Sequence, residues 1–190
     1  MTHKCGWAYA DPLMESYHDL EWGVWIPERK HLFEFLTLEG AQAGLSWLSI
    51  LKRREAYREA FDDFDPDRLA SWSPERPLLL LEHPGIIRNR AKIASVGTNA
   101  RAFLRVEKEF GGFDRYLIEQ VGGAPVVHAF ARDTDVPSED AVSRALSRDL
   151  KKRGFQFVGP VICYSYLQAV GLMRDHLTTC FRYHELVAED

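Results

Sequence analysis

The chain has 190 residues, 46% hydrophobic and 27% charged, which suits one soluble globular domain over residues 1–190 with a core of its own. No run approaches the roughly 20 apolar residues needed to cross a bilayer, and Met1 to Gly6 lacks the apolar segment of a signal peptide, so no membrane partner and a cytoplasmic address are expected. Three cysteines (Cys5, Cys163, Cys180) argue against a disulfide framework, and a net charge of -4 leaves any nucleic-acid contact to local basic patches.

Helical periodicity dominates the chain. Glu28 to Leu38 sets Leu32, Phe33, Leu36 and Leu38 on one broad face. Trp47 to Phe61 repeats the pattern and predicts one helix, with Trp47, Ile50, Leu51, Tyr57 and Phe61 inward. Asp65-Pro66 reads as the N-cap and first residue of a short helix. Pro84-Gly85 breaks the chain before a long helix predicted over Ile86 to Val106. Gly111 to Pro137 is the loopiest stretch, and within it Ala124-Pro125-Val126-Val127 is the one strand candidate. Pro137-Ser138-Glu139-Asp140 opens a helix that runs to Arg153 and stops at Gly154, a natural position for a left-handed residue. Gly159-Pro160 opens one more, through Gln168. The predicted fold is all-α and punctuated by loops, with neither repeats nor a linker.

Four groups of residues could carry chemistry. His176 and Cys180, four apart, would share one face of a helix and chelate one ion, and Cys5 with His18 would complete a Cys2His2 set suited to tetrahedral zinc. Spacing does not pair such distant residues, and a stray histidine with two buried thiols fits them as well. Four ligands would make a closed structural site, three an open one able to activate water. Next, Gly154-Phe155-Gln156-Phe157-Val158-Gly159-Pro160 reads as a glycine-bounded hairpin entering a helix N-terminus, where backbone N–H groups favour phosphate. Lys152 and its neighbours Lys151 and Arg153 add charge, and an ordinary connection with a solvated basic end is the plainer reading. A second stretch, His83 to Lys92, places Arg88, Arg90 and Lys92 at two-residue spacing, which cannot all share one helix face, and is the weaker clamp.

The third group is Leu38-Glu39-Gly40-Ala41-Gln42-Ala43-Gly44-Leu45-Ser46-Trp47. Its lone acid follows an apolar helix face and precedes a tryptophan, so Glu39 could bond the edge of a flat ligand stacked on rings, or be an ordinary surface acid. Fourth, Trp7, Tyr17, His18 and Trp22 crowd the start of the chain. Such rings are usually core, and can also wall a pocket for a planar cation. Signatures of a dinucleotide fold, a phosphate-binding P-loop or a serine triad are missing from the sequence.

In this order the strings Cys5-Gly6-Trp7, Asp11-Pro12-Leu13, Tyr17-His18-Asp19, Glu21-Trp22-Gly23-Val24, Leu38-Glu39-Gly40, Gln42 to Trp47, Gly85 to Arg88, Lys151 to Phe155 and Phe157 to Pro160 running into Ile162 to Ser165 closely resemble the bacterial 3-methyladenine DNA glycosylase I family, from Cys5 to about Cys180. The resemblance implies a helix-hairpin-helix glycosylase fold and one structural zinc on Cys5, His18, His176 and Cys180, clipping the two ends together. It implies Glu39 at the base edge as the catalytic acid, Trp7, Tyr17, Trp22 and Trp47 as base-binding aromatics, and a Gly44-Leu45 tip that fills the gap when a nucleotide flips out. Lys152, Gly154 and Gly159 would hold DNA backbone. The activity implied is hydrolytic release of 3-methyladenine from alkylated double-stranded DNA by a monomer, without strand cleavage. Met14 departs from the family pattern, which often has an aromatic there and leaves a lesion such as 7-methylguanine open. Asp175, beside His176, is given no catalytic part, and the tail after Cys180 no role. The rival readings are a zinc-dependent hydrolase of a small molecule and a non-catalytic sensor of damaged DNA.

Overall fold

Capping residues and glycines divide the chain into eleven α-helices among the described residues of the computed structural model, which are 3–188. Met1, Thr2, Glu189 and Asp190 lie outside that range. The helices are α1 (Pro12–Leu20), α2 (Arg29–Gln42), α3 (Trp47–Leu51), α4 (Arg54–Ala60), α5 (Pro66–Ala70), α6 (Arg76–Leu79), α7 (Arg90–Phe110), α8 (Phe113–Gln120), α9 (Ala141–Lys152), α10 (Pro160–Ala169) and α11 (Phe181–Ala188). Two short strands, β1 (Val126–Val127) and β2 (Met173–Arg174), pair in parallel. No helix among the described residues is long and apolar enough to cross a membrane.

Local chemistry explains most boundaries. Asp65 caps α5 through the N–H groups of Asp67 and Arg68, with Pro66 as its first residue. Asp140 and Ser143 cap α9 reciprocally, and Gly154 follows α9 at φ +96°. The segment expected to form one helix over Trp47 to Phe61 is instead two. Arg53 breaks it, with φ -110° and ψ 2°, while its guanidinium bonds the carbonyl and hydroxyl of Ser49. The long helix starts at Arg90 rather than Ile86, because the Asn89 side chain caps it at Lys92 N–H. It continues to Phe110 and ends on Gly111 at φ +78°. The stretch read as loop contains α8, which buries Phe113, Tyr116 and Leu117.

α2 is the axis of the molecule. Every residue from Leu32 to Ala41 is buried, not one face only. Phe33 meets Phe103 of α7, the Tyr166 hydroxyl of α10 donates to Leu32 O, and buried Glu34 is paired by Arg54 and Arg58 of α4 at 2.8 and 2.9 Å. A helix buried all round holds its C-terminal half rigidly, and that half carries Glu39.

Candidate active site

The C-terminal half of α2 faces a cavity of about 470 Å³, within the range of small-molecule sites. α1 supplies Met14 and Tyr17, the turns around it Trp7 and Trp22, and the start of α3 Trp47. Trp7 and Trp22 meet edge to face at 5.0 Å, and Tyr17 lies 5.5 Å from Trp47. The four aromatics expected at one pocket therefore do converge with Glu39. Met14 lines the same cavity. Gln42, Asp133, Val136, Ser165, Gln168 and Asp175 complete the lining and went unnoticed as pocket residues in the sequence.

Glu39 is 4% exposed, and burial alone pushes its carboxyl up to about 8. Its Oε2 has no hydrogen-bond partner among the described residues, and neither has the Tyr17 hydroxyl or the Trp47 Nε1–H. Buried polar atoms are normally bonded, and an orphan costs about 1–3 kcal/mol. Three of them belong to residues that line one aromatic-walled cavity, which marks it as the candidate site. The surface reading of Glu39 is thereby excluded.

Asp175 also lines the cavity and is buried. The Tyr164 hydroxyl and Gln168 Nε2–H donate to its Oδ2 at 2.6 and 2.8 Å, and His128 Nδ1 lies 2.7 Å from Oδ1. The β1–β2 pairing brings His128 there, since His128 N–H donates to Arg174 O. Asp175 is thus a fully bonded wall of the pocket, more than a neighbour of His176.

Cys5, His18, His176 and Cys180 are all buried, with one ligand atom from each lying within 4.8 Å of the others. His18 Nε2 lies 3.2 Å from His176 Nδ1 and 3.5 Å from Cys180 Sγ, and His176 Nδ1 lies 3.8 and 3.7 Å from the sulfurs of Cys5 and Cys180. Ordinary zinc bond lengths in a tetrahedron require about 3.3 Å between nitrogens and about 3.5 Å between nitrogen and sulfur, so the residues fit the ion. The remaining ring nitrogens are anchored as metal-bound histidines need: His18 Nδ1 by Asp19 at 2.8 Å, His176 Nε2 by the Trp22 carbonyl at 3.0 Å. Both cysteines are free thiols. One expectation is corrected. His176 and Cys180 share no helix face: after β2 the chain runs on irregularly through His176 and turns at 177–180, closed by Cys180 N–H on Leu177 O. Their spacing works because a turn, like a helix, returns four residues on.

A short connection of turns and bends, residues 153–159, joins α9 to α10. Phe157 sits at φ +56°, the Asn99 side chain pairs with both backbone groups of Gln156, and the Ser147 hydroxyl donates to Val158 O. Lys151, Lys152 and Gly154 are exposed, and a side chain at Gly159 would meet nothing within 4 Å, so backbone here is approachable. Arg153 is engaged by Glu109 and Asp149. Gly40, next to Glu39, abuts Phe157, whose Cβ lies 3.3 Å from where a side chain would start. The connection between α9 and α10 therefore packs against the helix that carries Glu39. The Gly44-Leu45 tip lies in the turn between Gln42 and Trp47, which both line the cavity, with Gly44 at φ +83° and Leu45 41% exposed.

Residues 7–183 match the family model described as methyladenine glycosylase. Over 180 residues the chain is 46% identical to DNA-3-methyladenine glycosylase 1 of Escherichia coli (strain K12), covering 95% of this chain and 96% of the relative. A crystal structure of 3-methyladenine DNA glycosylase I superposes with a TM-score of 0.91 at 46% identity, covering 94% of this chain and 98% of the other. A variant of 3-methyladenine DNA glycosylase I in complex with 3-methyladenine gives 0.91 at 38% identity, covering 94% and 96%.

Proposed function

The chain belongs to the methyladenine glycosylase family, and from that premise we infer that it is a DNA repair enzyme that hydrolyses the N-glycosidic bond of 3-methyladenine in alkylated double-stranded DNA. The observation that carries the reading is the set of three unpartnered polar atoms, on Tyr17, Glu39 and Trp47, within one aromatic-walled cavity.

The target bond is hidden inside a duplex, so the nucleotide must leave the stack at a cost of a few kcal/mol. In this reading the hairpin holds phosphates through Lys152 and the backbone at Gly154 and Gly159, as a helix-hairpin-helix element does. Leu45 fills the vacated gap, and the base enters between Trp7, Tyr17, Trp22 and Trp47. A 3-methyladenine still attached to its sugar carries a positive charge. Aromatic faces attract it, and a cation entering the cavity favours the ionised form of Glu39, which burial alone keeps protonated near neutral pH. Glu39 meets the polar edge of the base and is the group that tells it from a ring lacking that edge. Departure of a cationic base needs little acid catalysis. The glycosidic electron pair leaves with the base, which becomes neutral. Water adds to the oxocarbenium-like sugar and loses its surplus proton to solvent. In this reading the strand is left uncut at the abasic site.

Zinc on Cys5, His18, His176 and Cys180 is a structural cofactor in this reading, a closed four-ligand site that joins the two ends of the chain. Free thiols suit a reducing, cytoplasmic setting, and the protein acts as a monomer. The test is chromatography of bases freed from methylated duplex. Free 3-methyladenine with unbroken strands is expected. An absence of released base would leave only the damage-sensor reading, and activity that tracks metal content in a folded protein would favour the zinc hydrolase.

A further inference from the structure

The last carbonyls of a helix have no partner within it. At the end of α2, Ala41 O and Ala43 O accept hydrogen bonds from a single ammonium, Lys92 Nζ, at 2.9 and 2.7 Å. Lys92 belongs to the first turn of α7, and its own N–H is capped by Asn89 at 3.1 Å, so its stem leaves an ordered backbone. Among the described residues no carboxylate pairs with it, and burial holds its ammonium below the ordinary lysine range. A half-buried cation at the negative end of a helix is thus directed at main chain alone.

The main chain it grips is the root of the exposed tip. Ala43 precedes Gly44, around which there is open space, and Leu45 N–H turns back to Gln42 O at 2.6 Å. One turn earlier on the same helix is Glu39. Arg88 and Arg90, the other cations of this stretch, are exposed.

We propose that Lys92 is a positioning residue: by clamping the carbonyls of Ala41 and Ala43 it fixes where the chain leaves α2, so that Leu45 enters the duplex in register with the pocket that receives the base. The proposal rests on the glycosylase reading above. It places Lys92 away from phosphate, although its sequence neighbours are arginines.

Lys92→Met keeps the stem and removes the ammonium. Binding of free 3-methyladenine, followed by tryptophan fluorescence, reports the pocket alone. Single-turnover release from methylated duplex reports insertion as well. The variant is expected to bind free base within about twofold of the native protein and to release base from duplex at least about tenfold more slowly, as small misplacements do. The salt dependence of duplex binding stays unchanged, and Lys92→Arg restores most of the rate. Native duplex turnover in Lys92→Met would overturn the proposal. So would a salt slope shallower by about one, the mark of a lost phosphate contact, or a loss of free-base binding in step with turnover, which would make Lys92 a residue of the fold. A native protein that released no 3-methyladenine would overturn the glycosylase reading, and the positioning role with it.

Discussion

Replacing Glu39 by Gln should stabilise the protein at alkaline pH while disabling it. The Glu39 carboxyl stands near 8 in the fold, against 4.5 for an ordinary glutamate, because burial penalises its charged form. A carboxyl whose folded value is raised keeps its proton in the native state after the unfolded chain has lost it. Stability therefore falls as pH rises from about 4.5 to about 8, and the loss is complete above that. At about 1.4 kcal/mol per unit, the interval sets a ceiling of roughly 5 kcal/mol, reached if no water in the cavity solvates the anion. Glutamine has the same shape and no titration. Denaturant unfolding of both proteins at pH 5, 7 and 8.5 gives the difference in stability, in which the titrations shared by the two proteins cancel. Glu39→Gln should gain on the native protein by several kcal/mol across that span, while its release of 3-methyladenine from duplex falls roughly ten- to a hundredfold, the worth of a hydrogen bond to a charged group. A stability difference independent of pH would refute the reasoning, since it would mean that the carboxylate is accommodated in the empty pocket.

Three further outcomes follow from the geometry. Cys180→Ser, or prolonged chelation of the native protein, should lower unfolding stability by at least about 3 kcal/mol before it lowers the rate constant of base release, checked by metal analysis, thermal melts and single turnover. A folded, metal-free sample that lost only turnover would make the ion catalytic. Asp175→Asn turns an amide toward the donors of Tyr164, Gln168 and His128, orphaning at least one of them, and should cost about 2–4 kcal/mol in a urea titration; an unchanged midpoint would show that those bonds are replaceable. Lys152→Ala should reduce the salt slope of duplex binding by about 0.9 without altering affinity for free base, and an unchanged slope would remove Lys152 from the DNA contact.

What could be read in advance was the local chemistry. Asp65-Pro66, Asp140, Gly154 and Gly159-Pro160 declare their boundaries within a few residues, because caps and left-handed turns are decided by immediate neighbours. α8 had its signal too, with Phe113, Tyr116 and Leu117 at helical spacing, but paired glycines on both sides made the segment look like loop. β1 at Val126–Val127 falls within the strand candidate Ala124 to Val127, while its partner β2, two residues long, depends on tertiary placement and leaves no periodic trace. The same distinction divides the pocket. Glu39 and the aromatics stand out as residue types in an odd setting. Asp175 does not, because the residues that bury and bond it come from positions 128, 164 and 168.

The Cys/His cluster and the aromatic cavity meet at two tryptophans. Trp22 offers its carbonyl to His176 Nε2 and its ring lies 4.5 Å from the His176 ring, while Trp7 stands 5.2 Å from the ring of His18. Both tryptophans also line the cavity that holds Glu39. An ion bound by the two imidazoles would therefore also fix one wall of the cavity. Stacking on a rigid wall avoids the cost of ordering two large side chains when a base enters. Loss of such an ion would then weaken retention of a bound base as well as unfolding stability, while Glu39 and the tip at Leu45, both carried on or next to α2, keep their own supports. A zinc ion on the four residues of the cluster would in this way brace the cavity wall as well as join the segments around Cys5 and Cys180.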